Sequence, residues 1–215
     1  MNARFGPAGT CNDFLAAGNK SSLQLPGFLS DLGLNAFEWQ CGHGVNINEK
    51  NALAFSELAH AADIQVSVHS PYYISLSGTD ETKRLKSLDY LLQSARAVRL
   101  LGGRRVVVHS GSASKISRSK AMELAEDTLT KTIALLDSEG YDDIVLCPET
   151  MGKVNQLGTV EEVCRLCQID ERMVPCIDFG HVHAMTAGSL KTSSDYAALL
   201  DTIENLLGYD RLKIM

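Results

Sequence analysis

The sequence predicts a parallel α/β fold, and three observations support this prediction. Short apolar segments of strand length alternate with longer amphipathic segments along the chain. Glycines follow several of the amphipathic segments, as they do at the ends of helices. Four of the apolar segments end in histidine, glutamate or aspartate. Because strands separated by helices of this length pair in parallel, we expect a chain of βα units.

The elements can be placed in order from this alternation. The predicted strands cover residues 4–7, 36–40, 65–69, 105–109, 144–149, 174–178 and 212–215. The predicted helices cover residues 23–32, 48–62, 82–101, 120–139, 160–167 and 194–207. Gly33 and Gly102 are expected to end two helices in the left-handed conformation. Thr159 precedes two acidic residues, which is typical of a helix start.

Two architectures are compatible with this order, an open doubly wound sheet and a TIM-type (β/α)8 barrel. A dinucleotide-binding sheet is expected to carry a glycine fingerprint after its first strand, and Gly6-Pro7-Ala8-Gly9 matches that fingerprint poorly. The barrel is favoured because the reactive residues fall at strand ends. A complete barrel needs ~250 residues, so we expect only about six and a half βα units here, from a longer enzyme.

Composition limits the class of protein. The 215 residues are 45% hydrophobic and 21% charged, which fits a single globular domain over residues 1–215. The net charge of −6 argues against binding nucleic acid through bulk positive charge, but bound cations can dominate a local site. We find no secretory leader and no apolar run near the ~20 residues of a membrane helix. We therefore expect a cytoplasmic monomer without membrane contact.

The strand ends carry a candidate metal site. His69, His109, Glu149 and Asp178 each end a predicted strand, and His181 follows Asp178 by three residues. A single histidine at a strand end is usually a hydrogen-bonded core residue. Because the carboxyl ends of barrel strands surround one opening, four successive strand ends of this kind favour a shared metal site, to which His181 is added. Imidazole and carboxylate ligands favour zinc, with manganese or iron as alternatives.

Other residues near this opening carry weaker hypotheses. Tyr72 follows the first predicted ligand, and His43 lies in the loop after the second strand, so both are candidates for substrate binding. The Cys164-x-x-Cys167 spacing resembles half of a zinc knuckle. It lies in a helical pattern without a second such pair, and the cysteines are expected to be reduced structural residues.

Four segments resemble the endonuclease IV family of apurinic/apyrimidinic endonucleases, within the xylose isomerase-like TIM barrels. The resemblance rests on four sequence segments: His69-Ser70-Pro71-Tyr72-Tyr73-Ile74-Ser75-Leu76, Val108-His109-Ser110-Gly111, Pro148-Glu149-Thr150-Met151-Gly152 and Cys176-Ile177-Asp178-Phe179-Gly180-His181. It implies a zinc-dependent hydrolase of base excision repair, with up to three zinc ions, that cleaves DNA 5′ to abasic or otherwise damaged sites.

The resemblance also implies roles for the predicted ligands. His69 and His109 would hold one zinc, and Glu149, the catalytic carboxylate, would bridge to a second zinc held by Asp178. His181 would belong to a third. The family supplies further ligands after a seventh strand, so we expect these 215 residues alone to hold at best the His69/His109/Glu149 metal and to lack nuclease activity.

Two other functions remain open. A sugar isomerase or epimerase on the same barrel would use one or two metals with a pair of acid/base carboxylates. A metal-binding module without catalytic activity is the third possibility. The Asp178-x-x-His181 spacing and the loop containing Tyr72 favour the phosphodiesterase.

Overall fold

A parallel four-stranded sheet organises the chain, for which a computed structural model describes residues 3–215. The strands follow the chain order as β1 (Ala36–Gln40), β2 (Gln65–His69), β3 (Arg105–His109) and β4 (Val145–Glu149). All three pairings are parallel. The predicted bounds are correct for three strands and one residue too long for β4. This register brings His109 directly opposite Glu149 at the carboxyl edge.

Extended segments continue the sheet on both sides. Residues 4–8 pair with β1 through one parallel bridge between Ala8 and Glu38, and residues 174–178 pair with β4 through Glu149 and Cys176. Strands were predicted over residues 4–7 and 174–178, but each segment forms only an isolated bridge, and the first of these, at Ala8, lies just past the predicted range. Each contains a proline, Pro7 or Pro175, which has no N–H for a ladder hydrogen bond. These segments therefore pair through a few bonds, including Cys176 N to Pro148 O at 2.8 Å.

Helices connect the strands, and the third, fourth and sixth of them pack against the sheet. Their bounds are α1 (Asn12–Ala16), α2 (Leu25–Asp31), α3 (Glu49–Ala61), α4 (Glu81–Leu100), α5 (Arg118–Ser138), α6 (Val160–Cys167), α7 (Phe179–Met185), α8 (Ser193–Leu207) and α9 (Tyr209–Lys213). A short 3-10 turn (Ser22–Gln24) precedes α2. Within the described residues, no helix combines the length and apolar character needed to cross a membrane.

Side-chain caps explain where the long helices begin. Asn48, Asp80, Ser117 and Thr159 each accept a hydrogen bond from a backbone N–H in the first turn that follows. Such a cap supplies a partner for an otherwise unpaired amide and contributes about 1 kcal/mol. The sequence-based helix starts are thus confirmed to within one or two residues.

The predicted strand over residues 212–215 is wrong. Residues 209–213 form α9, which follows Gly208, whose positive φ of 84° is readily adopted only by glycine. Ile214 then packs against the inward-facing cluster of Val107, Cys147 and Val174. Ile214 thus makes apolar contacts without pairing in the sheet. The strand-like composition of residues 212–215 therefore did not determine their conformation.

Successive side chains along each strand point alternately toward the helices and into the barrel interior. Val68, Val106, Val108 and Leu146 face the helices and are almost fully buried in the main core. Each such side chain contributes ~1.5–3 kcal/mol relative to an exposed one. Residues at the alternate positions point into the barrel interior, and those at the carboxyl ends of the strands form the candidate site.

The cysteines of the described residues are unpaired. Cys164 and Cys167 are completely buried on α6, and neither belongs to a group of potential metal ligands within residues 3–215. Burial raises the pKa of Cys164 to about 11 and that of Cys147 to about 12. Neutral buried thiols agree with the structural interpretation of these residues.

Candidate metal centre

Three neighbouring strand ends bring His69, His109 and Glu149 together. Nε2 of His69 lies 3.3 Å from Oε2 of Glu149, and Nε2 of His109 lies 3.4 Å from the same oxygen. Ligands at ~2.1 Å from a tetrahedral metal lie roughly 3.4 Å from one another. The spacing of these nitrogen and oxygen atoms therefore fits one small divalent cation.

Glu149, Asp178 and His181 form a second group of potential ligands. Nδ1 of His181 lies 3.4 Å from Oε1 of Glu149 and 3.5 Å from Oδ2 of Asp178. Asp178 also caps α7, because its Oδ1 accepts the backbone N–H of His181 at 2.8 Å. This hydrogen bond holds the carboxylate of Asp178 close to the backbone of His181.

Glu149 belongs to both groups, with a different carboxylate oxygen in each. Oε2 faces the two strand-end histidines and Oε1 faces His181. The bridging role of Glu149 and the assignment of His181 to a third metal, both implied by the resemblance, stay predictions. The structure brings His181 close to both Asp178 and Glu149.

Hydrogen bonds determine which ring nitrogen of each histidine is available to bind a cation. Nδ1 of His69 lies 2.9 Å from the Ser70 carbonyl, which only accepts, so Nδ1 carries the proton and Nε2 faces Glu149. Nδ1 of His181 lies 2.9 Å from the Thr150 carbonyl. Binding of a cation through that nitrogen would replace this hydrogen bond.

The two strand-end histidines differ in basicity. Burial by itself lowers the pKa of His69, but the hydrogen bond with Glu149 and the contact with Ser70 raise it overall. Burial lowers the pKa of His109, and this effect exceeds the opposing attraction of Glu149. His109 is therefore the histidine that more readily offers a neutral nitrogen to a cation.

A buried hydroxyl residue follows each of three strand-end ligands. Ser70, Ser110 and Thr150 are at most 1% exposed. Oγ of Ser110 donates to the carbonyl of Glu149 at 2.7 Å, and the backbone N–H of Asp178 donates to Oγ1 of Thr150 at 2.9 Å. These bonds hold the ligand-bearing backbone in place. These three residues lie in the motifs quoted above, but their role was not predictable from the motifs alone.

Tyr72 lies at the rim beside the first group. Its ring centroid is 5.8 Å from that of His109, 6.2 Å from His69 and 6.3 Å from His43. Tyr72 remains 58% exposed, so one face of its ring is available to a bound molecule. The structure thus brings both predicted substrate-binding residues, Tyr72 and His43, to the same rim.

Glu38 on β1 lies near His69 and Glu149, and no role was predicted for it from the sequence. It is partly buried, and its carboxylate oxygens accept hydrogen bonds from Gln40 at 2.7 Å and Ser67 at 3.4 Å. Burial raises the pKa of Glu38, and the nearby His69 partly offsets this increase. An acidic residue at an inward-facing strand position was the signal available in the sequence.

Sequence comparison relates the chain to proteins of several organisms. It is 29% identical over 187 residues to an uncharacterised protein of Methanocaldococcus jannaschii, covering 87% of this chain and 67% of that protein. It is 28% identical over 153 residues to a "probable endonuclease 4" of Mycoplasma pneumoniae, covering 69% and 50%. The chain thus spans about half to two thirds of the length of these relatives.

Structural comparison supports the barrel fold. Endonuclease IV of Thermus thermophilus superposes with a TM-score of 0.70 at 24% identity, covering 90% of this chain and 70% of that one. D-psicose 3-epimerase of Clostridium cellulolyticum superposes with a TM-score of 0.68 at 13% identity, covering 88% and 66%. A family profile described as xylose isomerase-like TIM barrel matches residues 27–215. The chain therefore belongs to the xylose isomerase-like TIM barrel family.

Proposed function

We propose that this protein is a metal-dependent phosphodiesterase that cleaves DNA 5′ to abasic sites in base excision repair. The observation that carries the proposal is the shared position of Glu149 between two groups of potential ligands. Two cations held by one carboxylate suit in-line displacement at a phosphate. Sequence similarity to proteins named as probable endonuclease 4 adds support. Because the chain spans half of that relative, the activity is proposed for the whole protein.

Zinc is the proposed cation, with manganese and iron as alternatives. His69 and His109 supply imidazole nitrogens to the first position, and Asp178 and His181 supply a carboxylate and an imidazole to the second. Mixed nitrogen and carboxylate ligands are typical of catalytic zinc sites. When bound, such cations lower the pKa of water toward neutrality and stabilise charge on the phosphate.

The side chains of this protein then have separate tasks. Glu149 would offer one carboxylate oxygen to each cation and is the proposed catalytic carboxylate. Its low exposure of 6% excludes bulk water from the carboxylate. Tyr72 and His43 form one wall at the rim and are proposed to orient the substrate.

Metal content and strand cleavage together test this proposal. We expect protein of natural length to contain tightly bound zinc and to nick a duplex with one abasic site, leaving an undamaged duplex intact. Removal of metal by a chelator should abolish nicking, and zinc should restore it. Zinc-loaded protein that leaves the abasic duplex intact would contradict the proposal.

A sugar epimerase is the alternative, and Glu38 is the observation that favours it. Glu38 and Glu149 both lie in the barrel interior, and a pair of carboxylates can act as acid and base on a sugar. Incubation with free ketohexoses, followed by chromatography of the products, separates the two functions. Epimerised sugar without nicking would favour the alternative.

We further propose that the protein acts as a cytoplasmic monomer. The unpaired cysteines of the described residues are compatible with a reducing compartment. Fractionation of the source cells and light scattering of the purified protein test these two points.

A further inference from the structure

A cavity of about 380 Å³ lies between the segments that follow β2 and β3. Its walls combine hydroxyl groups, the amino groups of two lysines and one aromatic ring. The residues that carry the hydroxyl groups are Ser75, Ser77, Thr79, Ser112 and Ser114. The volume is at the lower end of the range for cavities that hold small ligands, ~300–1,000 Å³. We call this cavity the hydroxyl cavity.

Hydrogen bonds between the two segments define the shape of the hydroxyl cavity. Oγ of Ser77 donates to the carbonyl of Ser112 at 2.7 Å and accepts the backbone N–H of Ser112 at 2.7 Å. Ser77 is only 3% exposed, so this connection is shielded from water. Oγ of Ser112 lies 2.7 Å from Oγ of Ser114. Specific contacts therefore build the cavity, and it is not a gap between unconnected loops.

The charged groups of the hydroxyl cavity favour an anion. Lys83 and Lys115 line it together with one acidic residue, Asp80. Asp80 already has partners, because its carboxylate accepts the backbone N–H of Lys83 at 3.2 Å and lies 3.7 Å from Nζ of the same lysine. In the described part of the chain, the ion pairs of lysines involve Lys83, Lys120 and Lys131. The amino group of Lys115 is therefore free to bind an anion, although the chain as a whole has a net charge of −6.

The hydroxyl cavity lies close to the candidate metal centre. Ser112 follows His109 by three residues, and a stretch of chain of this length spans at most ~11 Å. Tyr73, whose ring lines the cavity, directly follows Tyr72, and the ring centroid of Tyr72 lies 5.8 Å from that of His109. A DNA strand advances ~3.4 Å per nucleotide along the helix axis. A phosphate within about three nucleotides of the metal centre is therefore within reach of the cavity.

We propose that the hydroxyl cavity binds a backbone phosphate of the DNA strand, other than the phosphate that is cleaved. A phosphodiester is negatively charged and its oxygens only accept hydrogen bonds, which suits lysine amino groups and serine or threonine hydroxyls as donors. Contacts of this kind fix the register of a DNA strand without reading its sequence. The ring of Tyr73, which is 52% exposed, offers an apolar surface to the neighbouring sugar. The inference rests on the proposed function and extends it by naming a second contact region.

The salt dependence of DNA binding tests the hydroxyl cavity separately from catalysis. The probe is a fluorescent duplex with an abasic analogue and a phosphorothioate linkage at its 5′ side, which slows cleavage. Fluorescence anisotropy gives the Kd of the metal-loaded protein between about 50 and 200 mM salt. Lys115→Gln should lower the slope of log Kd against log salt by about 0.9 and raise the Kd roughly fivefold to tenfold at about 0.1 M salt, because one phosphate contact is lost. Lys115→Arg should preserve the slope, because it keeps the charge.

Lys213→Gln is the matched control. Lys213 is exposed and lines a different cavity together with Arg105, the first residue of β3, at the end of the sheet opposite to the candidate ligands. Its replacement should leave the slope and the Kd unchanged, and all variants should retain the metal content of the wild type.

Three results would contradict the inference, and they separate it from the proposed function. If the wild type binds and nicks abasic DNA while Lys115→Gln keeps its Kd and its slope, only the role of the hydroxyl cavity is refuted. If the wild type neither binds nor nicks the duplex, the proposed function fails and the inference with it. If Lys115→Gln instead weakens the binding of phosphorylated ribose in calorimetry and leaves the slope for DNA unchanged, the cavity binds the phosphate of a small molecule.

Discussion

Nε2 of His69 lies 3.3 Å from Oε2 of Glu149, although 80 residues separate them along the chain. Parallel pairing of β2, β3 and β4 produces this contact, because it aligns the carboxyl ends of successive strands. Glu149 is nearly buried, and its two oxygens face three histidines. A buried carboxylate with so many partners is costly to leave unpaired, so changes at this position should affect the whole site.

Glu149→Gln should abolish hydrolysis while the fold is retained. The amide keeps the shape of the side chain but loses the charge that both ligand groups share. We expect a loss of metal affinity of at least about 100-fold, more than loss of an outer-shell partner causes. Elemental analysis of the purified variant and a nicking assay measure the effect, and circular dichroism checks folding. Wild-type turnover in this variant would disprove the bridging role.

Metal binding should raise the thermal stability of the protein. A cation that binds only the folded state at 100 times its Kd contributes about 2.7 kcal/mol. For a chain of this size, this corresponds to an increase in Tm of roughly 5–10 °C. Differential scanning fluorimetry with and without zinc gives the shift.

His69→Ala should reduce this zinc-induced shift, because it removes a ligand of the first group. His60→Ala is the control, since His60 is exposed on α3 and belongs to neither ligand group. An equal zinc-induced shift in both variants would place the bound metal elsewhere.

Gly42→Ala should weaken substrate binding without much loss of stability. A Cβ at residue 42 would lie 2.7 Å from Cε2 of Tyr72. The exposed tyrosine ring can turn away, so the fold persists while the ring leaves its position beside His109. We expect an increase in KM of roughly threefold to tenfold, because misplacing a stacking ring removes part of its ~1–3 kcal/mol.

A double-mutant cycle tests whether Gly42 acts through Tyr72. If it does, adding Gly42→Ala to Tyr72→Ala should have no further effect on KM. Gly27→Ala is the control, since a Cβ there meets no atom within 4 Å. Additive effects of the two changes would show that Gly42 matters for another reason.

Glu162→Gln should destabilise the fold at neutral pH and much less in acid. Glu162 accepts hydrogen bonds from Arg118 at 2.7 Å and from the N–H groups of Gly158 and Thr159 at 2.8 Å and 3.0 Å. Burial alone raises the pKa of Glu162, but these bonds lower it overall. Hydrogen bonds to a charged group contribute ~1.5–3 kcal/mol, so we expect a loss of about that size at pH 7.

The sign of the pH dependence follows from the lowered pKa. The stabilisation by Glu162 is fully present above the pKa of the unfolded chain and is lost as the pH falls through the lower pKa of the folded protein. Urea unfolding at pH 7 and near pH 3 should therefore show the difference between wild type and Glu162→Gln shrinking in acid. Glu161→Gln, at an exposed neighbouring position, is the control. A difference that stays constant with pH would contradict this account.

The local sequence pattern was sufficient to predict the central sheet and most of the helices. Short apolar segments separated by amphipathic stretches, with Thr159 at a helix start, predict the strands of the sheet and the starts of six helices to within two residues. The same pattern placed His69, His109 and Glu149 at strand ends. Parallel pairing then implies that they converge, since all strand ends of one barrel face lie together.

Several features of the fold and the candidate site depend on tertiary packing and could not be predicted from the local sequence pattern. Residues 212–215 have the composition of a strand, but residues 209–213 form α9, and the partly buried Ile214 packs against inward-facing side chains. The grouping of His181 with Asp178, the hydrogen bonds of Ser110 and Thr150, and the contact between Phe179 and Tyr196 also depend on distant segments. Sequence periodicity determines which face a side chain occupies, because it reflects backbone geometry. Which residues meet on that face depends on the packing of segments far apart in the chain, and periodicity carries no information about it.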